Sequence, residues 1–298
     1  MTSTWAPASA LSPHAAERTW LPSGHGPLAA LVARPAAEPA ATVLLVPGYT
    51  GSKEDFAPLL DPIAAARLTA VAVDLPGQYE SPGPDDEREY LPERLGAAVT
   101  DVVAHLGPAP VVLLGHSYGG LVSRAAVLAG AEIAGLVLLC SGPAALPAEG
   151  RRRAALDAGE PVLRRQGVAA LQTLRDALEA GGPARPPALV EFLRARFLAS
   201  AEAGLLGMAT GLRTEPDRVD ELRAALAARA VPAFVACGAG DDAWPVATQR
   251  DMAERLGVPF ALVEGAAHSP NVENPAALLD VLLPRLAGWL SSTTRSTG

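Results

Sequence analysis

Residues 111–120 read VVLLGHSYGG. Four apolar residues of the β-forming kind, Val111 to Leu114, lead into Gly115. The stretch that follows, LVSRAAVLAG (121–130), is rich in alanine and leucine and reads as a helix. A strand that passes into a helix this quickly needs a sharp turn, and its central residue, Ser117, must take a strained backbone conformation. Small residues flank it at Gly115 and Gly119, where a Cβ would clash. Such a turn lifts Ser117 above the carboxyl end of its strand. It also sets the hydroxyl at a helix N-terminus, where partial positive charge favours a developing anion.

The surroundings repeat the strand–helix pattern. ERTWLPSGHGPLAALVARP (17–35) reads as two strands around the turn Ser23–Gly26, and ATVLLVPG (41–48) is a continuous apolar run that suits a strand buried on both faces. Then come a helix in FAPLLDPIAAARL (56–68), a strand in TAVAVDLPG (69–77), a helix in LPERLGAAVTDVVAHL (91–106), the Ser117 unit, and a strand in AGLVLLCSG (134–142). This alternation predicts an α/β fold, a mostly parallel central sheet with helices on both faces.

At Pro143 the alternation stops. Residues 143–230 are helical in pattern, with breaks at EAGGPARPPA (179–188) and RTEPD (213–217). The alternation resumes with VPAFVACG (231–238), VATQRDMAERLG (246–257), PFALVEG (259–265) and PAALLDVLLPRLAGWL (275–290). The expected organisation is a discontinuous body, 1–142 with 231–298, and an all-helical cap, 143–230, over one end of the sheet. Residues 1–15 are expected to be loosely held and the polar tail SSTTRSTG (291–298) to be disordered.

Composition narrows the partners. The 298 residues are 49% hydrophobic and 19% charged, as in a folded globular protein. A net charge of −8 disfavours nucleic acid. One lysine, Lys53, stands against 23 arginines, a bias that fits a GC-rich coding sequence and carries no phosphate-binding inference. The cysteines, Cys140 and Cys237, end apolar runs and read as core residues rather than a disulfide framework. No secretory signal and no apolar run of about 18 residues is present, so no membrane span is expected and the cytoplasm is the default location.

A serine hydroxyl needs a base to take its proton. Of five histidines, His14 and His25 fall near the N-terminal hairpin and His105 near the end of a surface helix. His116 adjoins Ser117 but points away from it on the strand. His268 follows the last strand, which in a parallel sheet is the same edge as Ser117. The base in turn needs an acid that holds its tautomer. The strand ending at Cys140 offers none, Asp74 follows a more distant strand and reads as a turn or packing residue, and the strand ending near Gly238 offers Asp241 and Asp242. The order is then Ser117, Asp241 or Asp242, His268.

With these residues in place the chain, from about residue 18 to 290, resembles the α/β-hydrolase superfamily in its capped form, similar to monoglyceride-lipase-like and esterase-like serine hydrolases. Four motifs carry the resemblance: VPGYTGSKEDF (46–56), DLPGQYESPG (74–83), GHSYGG (115–120), and GAGDDAWP (238–245) paired with GAAHSPNVENP (265–275). The family pattern G-x-x-D-x-x-x-P matches Gly238, Asp241 and Pro245, which implies Asp241 as the acid. Its Gly-x-x-His matches Gly265 and His268. The resemblance further implies an oxyanion hole from the backbone N–H groups of Tyr118 and Tyr49. Many relatives carry His-Gly where this chain has Pro47-Gly48, a histidine outside the triad.

The implied activity is hydrolysis of a carboxylic ester of a small to medium apolar substrate, with water as the second reactant and no metal or organic cofactor. Cap aromatics Phe192 and Phe197, with Trp244, are candidate substrate contacts, alongside Leu205, Leu206, Met208 and Leu212. The same triad would also serve thioester, lactone or C–C hydrolysis or cofactor-free perhydrolysis, and a slow-turnover receptor is the reading outside enzyme chemistry. An aspartate-nucleophile hydrolase is disfavoured by Ser117. Oligomeric state is not readable from the chain.

Overall fold

Eight strands form one sheet in the order β1-β2-β4-β3-β5-β6-β7-β8. The computed structural model describes residues 9–179 and 184–293. Strands β1 (Glu17–Leu21) and β2 (Leu28–Ala33) make the antiparallel hairpin. Its turn is closed by Ser23, whose Oγ donates to the Gly26 carbonyl at 2.7 Å. Strand β2 is also antiparallel to β4 (Leu68–Val73). The remaining pairs are parallel and involve β3 (Ala41–Val46), β5 (Val111–His116), β6 (Gly135–Leu139), β7 (Ala233–Gly238) and β8 (Phe260–Val263). Strands β3, β5, β6 and β7 are buried at every residue, as their unbroken apolar runs require.

The pleat sorts those runs between two cores. Leu44 of β3 and Leu113 of β5 point to one face. Their neighbours Val43, Leu45, Val112 and Leu114 point to the other. The first face is covered by α2 (Pro92–His105) and α3 (Tyr118–Leu128), through residues such as Val99 and Leu121. The second is covered by α1 (Ala57–Ala65) and the long C-terminal α10 (Pro275–Thr293), through Leu60 and Leu282.

Between β6 and β7 lie α4 (Arg151–Glu179), α5 (Pro187–Leu198), α6 (Glu202–Thr214) and α7 (Val219–Ala228), with no strand among the described residues. Helix α4 is broken at Gly167, whose φ of 80° sits in the region glycine adopts at least cost. Leu163 and Leu171 of α4, Phe197 of α5, and Leu205 and Leu206 of α6 form a third apolar cluster of their own. Helix α7 behaves differently from the expected cap. Its Val219, Leu222 and Leu226 belong to the sheet-face core, next to α3 and α8 (Val246–Leu256). Helical periodicity shows that a helix has an apolar face, and is silent on what that face covers.

The chain ends also depart from expectation. Residues 9–15 are tied down: Ser9 and Ser12 close a turn, and the Ala15 N–H donates to Asp61. Ser291–Thr293 continue α10. The rest of the expected loose start (1–8), residues 180–183 of the expected break at 179–188, and the tail from 294 lie outside the described residues.

Candidate active site

The geometry of the site starts at the turn between β5 and α3. Ser117 has φ 55° and ψ −120°, a conformation that bulky residues avoid. Packing there is tight: a Cβ on Gly115 would stand 2.2 Å from the Gly119 carbonyl oxygen, and one on Gly119 would stand 2.3 Å from that of Val46. Both contacts are with backbone oxygens, which cannot swing aside as a side chain can, so both positions require glycine. Ser117 thereby stands at the carboxyl edge of the sheet, where the loops after β3, β7 and β8 converge.

The loop after β8 carries His268, whose Nε2 lies 2.9 Å from Ser117 Oγ. Its Nδ1 lies 2.8 Å from Oδ1 of Asp241, on the loop after β7. All three side chains are buried. Asp241 also accepts from the Ala243 N–H (2.9 Å) and from Nε2 of Gln249 (2.8 Å). Burial alone would raise the Asp241 pKa. The hydrogen bond and charge of His268, with Ala243 and Gln249, outweigh it and hold the carboxyl below its usual range. Asp242 turns outward instead, and its carboxylate pairs with Arg152 of α4.

Other polar residues fasten this assembly. Nε2 of His116 donates to the backbone carbonyl of His268 at 2.7 Å, so the neighbour of Ser117 holds the histidine loop from below. Burial, then the nearby His268 charge, pushes the His116 pKa down to about 4. Asn271, on the short helix α9 (Pro270–Glu273), donates to the Asp55 carbonyl, tying the His268 loop to the loop after β3. Asp74 is buried under that loop, bonded to the backbone N–H and the ammonium of Lys53. Burial pushes its carboxyl up to about 7, with Lys53 opposing.

His116, Cys140 and His268 are close enough together to meet one cation. Both ring nitrogens of His268 are engaged by Ser117 and Asp241, and burial pushes the Cys140 thiol well above its usual pKa. The trio therefore presents a poor donor set for a metal.

The two expected backbone donors flank Ser117. Tyr118 opens α3, and Gly48, before Tyr49, is so close that a Cβ on it would meet Ser117 Cβ at 2.9 Å. The N–H groups of Tyr49 and Tyr118 have no acceptor among the described residues. The Tyr118 phenol points away and donates to the Tyr90 carbonyl.

A cavity of about 860 Å³ opens onto Ser117 and His268, with Phe197 and Leu212 in its wall. A second cavity, of about 320 Å³, shares Tyr49, Leu156 and Arg175 with it and runs among the insertion helices, where Leu163, Leu171, Leu205 and Leu206 line it. Phe192 and Trp244 line neither cavity. Phe192 packs edge-on against Tyr79, at a centroid distance of 5.8 Å. Trp244 is fully buried against Gly142, with its Nε1 donating to the Ala144 carbonyl at 3.1 Å. Of these two expected substrate contacts, Trp244 is packed into the fold, and Phe192 is half-buried against Tyr79. Met208 of α6 likewise joins the sheet-face core.

Residues 43–281 match the model of the alpha/beta hydrolase family. Solved structures agree in fold. A carboxylesterase from the thaumarchaeon Nitrososphaera gargenis is 18% identical with a TM-score of 0.73, over 92% of this chain and 100% of that one. A thermophilic esterase from Thermogutta terrifontis is 22% identical with a TM-score of 0.68, over 93% and 98%. The N-acyl homoserine lactonase AidH is 21% identical with a TM-score of 0.69, over 93% and 99%. At these identities the likeness to the three structures is one of fold.

Proposed function

The chain belongs to the alpha/beta hydrolase family, and from that premise we propose that it is a serine hydrolase of carboxylic esters that works through Ser117, His268 and Asp241. The observation that carries the reading is the unbroken line from Ser117 Oγ to His268 Nε2 and from His268 Nδ1 to Asp241 Oδ1, at 2.9 and 2.8 Å.

Ser117 Oγ attacks the ester carbonyl carbon and passes its proton to His268 Nε2. The carbonyl oxygen becomes an oxyanion, met by the N–H groups of Tyr49 and Tyr118. Asp241 holds the imidazole in the tautomer that presents Nε2 as an acceptor and stabilises the imidazolium once formed. His268 then gives its proton to the leaving alkoxide oxygen, and the C–O bond breaks. Water attacks the acyl-enzyme, again losing a proton to His268, and collapse returns the proton to Ser117.

For the division of the chain, residues 1–142 and 231–298 make the hydrolase body and 143–230 the insertion over its mouth. Within that insertion α4–α6 act as the cap and α7 serves the body. For the substrate, the leucine-lined second cavity supports an aliphatic acyl chain. Tyr49 joins the two cavities, and its backbone N–H is the donor assigned to the carbonyl oxygen. A chain leaving that carbonyl passes directly along the Tyr49 side chain.

The test is turnover of p-nitrophenyl esters from acetate to dodecanoate, with fluorophosphonate labelling. The expected result is labelling and turnover lost in Ser117→Ala, and a kcat/KM that climbs through medium chain lengths. Full activity of Ser117→Ala would sink the assignment.

A further inference from the structure

Gln78 lies in the loop after β4 and is 2% exposed, so no substrate reaches it. Its side chain is nevertheless bonded into the oxyanion region. Nε2 donates to the carbonyl oxygen of Gly48 at 2.8 Å, and Oε1 accepts from the Leu75 N–H at 3.0 Å. The two bonds fix which end of the amide is which, because only the nitrogen donates and only the oxygen accepts. The Gly48 oxygen also accepts from the Gly51 N–H at 3.0 Å.

The carbonyl of Gly48 and the N–H of Tyr49 belong to one peptide unit. That unit is planar and trans, so the two bonds point in opposite directions and turn together. Whatever anchors the Gly48 oxygen therefore aims the Tyr49 N–H. A hydrogen bond accepted by the oxygen also polarises the unit and strengthens the N–H as a donor. The loop needs such an anchor. Thr50, the next residue, sits at φ 59°, a left-handed conformation that persists only where its surroundings hold it. On the far side the peptide lies beside the serine: a Cβ on Gly48 would stand 2.9 Å from Ser117 Cβ.

We infer that Gln78 is a positioning residue for the oxyanion hole: it anchors the Gly48 carbonyl so that the Tyr49 N–H is aimed at, and strengthened for, the oxyanion of the tetrahedral intermediate. The inference rests on the Ser117 and Tyr49 roles assigned above. It assigns chemistry to a neutral amide that never touches the substrate. It also gives the loop after β4 a part in the rate.

Two variants test it. Gln78→Met keeps the bulk and removes the donor. Gln78→Glu offers a carboxylate to the Gly48 oxygen at high pH and a donating carboxyl at low pH. Removing an entire oxyanion donor costs about 10²–10³ in rate. Misaiming one should cost part of that, so Gln78→Met is expected to lower kcat by roughly 10- to 100-fold with KM within about threefold. Affinity for an alkyl trifluoromethyl ketone, whose hemiketal places an oxyanion in the hole, should fall by the same factor. The kcat of Gln78→Glu relative to wild type should rise as pH falls, a ratio that cancels the titration of His268. A merely structural role would lower the melting temperature without the matched loss in kcat and ketone affinity. Gln78→Met with wild-type kcat and ketone affinity overturns the inference. So does a Gln78→Glu ratio that is flat with pH, which decides the matter if the methionine variant does not fold. Turnover by Ser117→Ala would overturn the underlying reading instead.

Discussion

Oδ1 of Asp241 lies 2.8 Å from Nδ1 of His268, while the adjacent carboxylate of Asp242 faces outward to Arg152. Two consecutive acids on one loop thus have opposite surroundings. The Asp241 side chain is enclosed and that of Asp242 is half exposed. Replacing Asp241 by Asn leaves the shape but exchanges an acceptor-only carboxylate for a neutral amide whose NH2 can face His268 Nδ1 and favour the wrong tautomer, so kcat is expected to fall by about 10⁴. Asp242→Asn removes an exposed ion pair worth about 1 kcal/mol or less, and kcat should stay within about twofold. Steady-state kinetics on one ester decides between them. A larger loss in Asp242→Asn would move the acid by one residue.

His116 offers a prediction in pH. Its folded pKa is about 4 against an ordinary 6.5, because burial disfavours the imidazolium. Between those values the unfolded chain binds the proton and the folded protein does not. The stability that His116 contributes is therefore full above pH 6.5 and is lost as pH falls toward 4, by up to about 3 kcal/mol. His116→Gln keeps an N–H for the His268 carbonyl and cannot titrate. Melting curves from pH 7 to 4 should show wild type falling more steeply than the variant. Parallel curves would contradict the depressed pKa.

Much of this arrangement can be read in the chain, for reasons that differ by element. The runs at Val43–Val46 and Val111–Leu114 are apolar at every position because both sheet faces are covered. Ser117 announces itself through Gly115 and Gly119, which backbone contact forces to be glycine. Choosing Asp241 over Asp242 needed a spacing pattern, since burial on a loop has no periodicity. Gln78 and Gln249 left no trace, because neutral amides in loops and helices are common and only their partners make them matter. Trp244 and Phe192 show a related limit of sequence: an aromatic ring suggests packing without showing the direction it faces.

Arg124 gives a test of how the insertion is fastened. This buried guanidinium on α3 bonds the Pro143 carbonyl, where the insertion begins, and the Glu215 carboxylate and Pro216 carbonyl, where α6 ends. Glu215 is itself buried, and desolvation raises its pKa despite Arg124. Arg124→Met leaves that carboxyl unpaired and should cost about 3–5 kcal/mol. Adding Glu215→Leu removes the orphan and should recover most of the loss, because two apolar side chains pack where two charges stood. Chemical denaturation of both variants measures this. A double variant as unstable as the single one would show that the carbonyl contacts, and not the ion pair, fasten the insertion.

The second cavity should set chain length, and Leu205 in its wall is the residue to enlarge. Each methylene taken out of water contributes about 0.8 kcal/mol, or roughly fourfold in kcat/KM. Leu205→Trp puts a large ring where the far end of an acyl chain would lie. If it excludes three methylenes, kcat/KM for p-nitrophenyl octanoate should fall about 50-fold relative to that for the acetate. Overpacking will itself cost about 1–3 kcal/mol of stability, which lowers the melting temperature and affects both esters alike. The ratio of the two esters therefore isolates the cavity from the fold. An octanoate-to-acetate ratio that Leu205→Trp leaves unchanged would mean that the acyl chain stays in the larger cavity, beside Phe197 and Leu212.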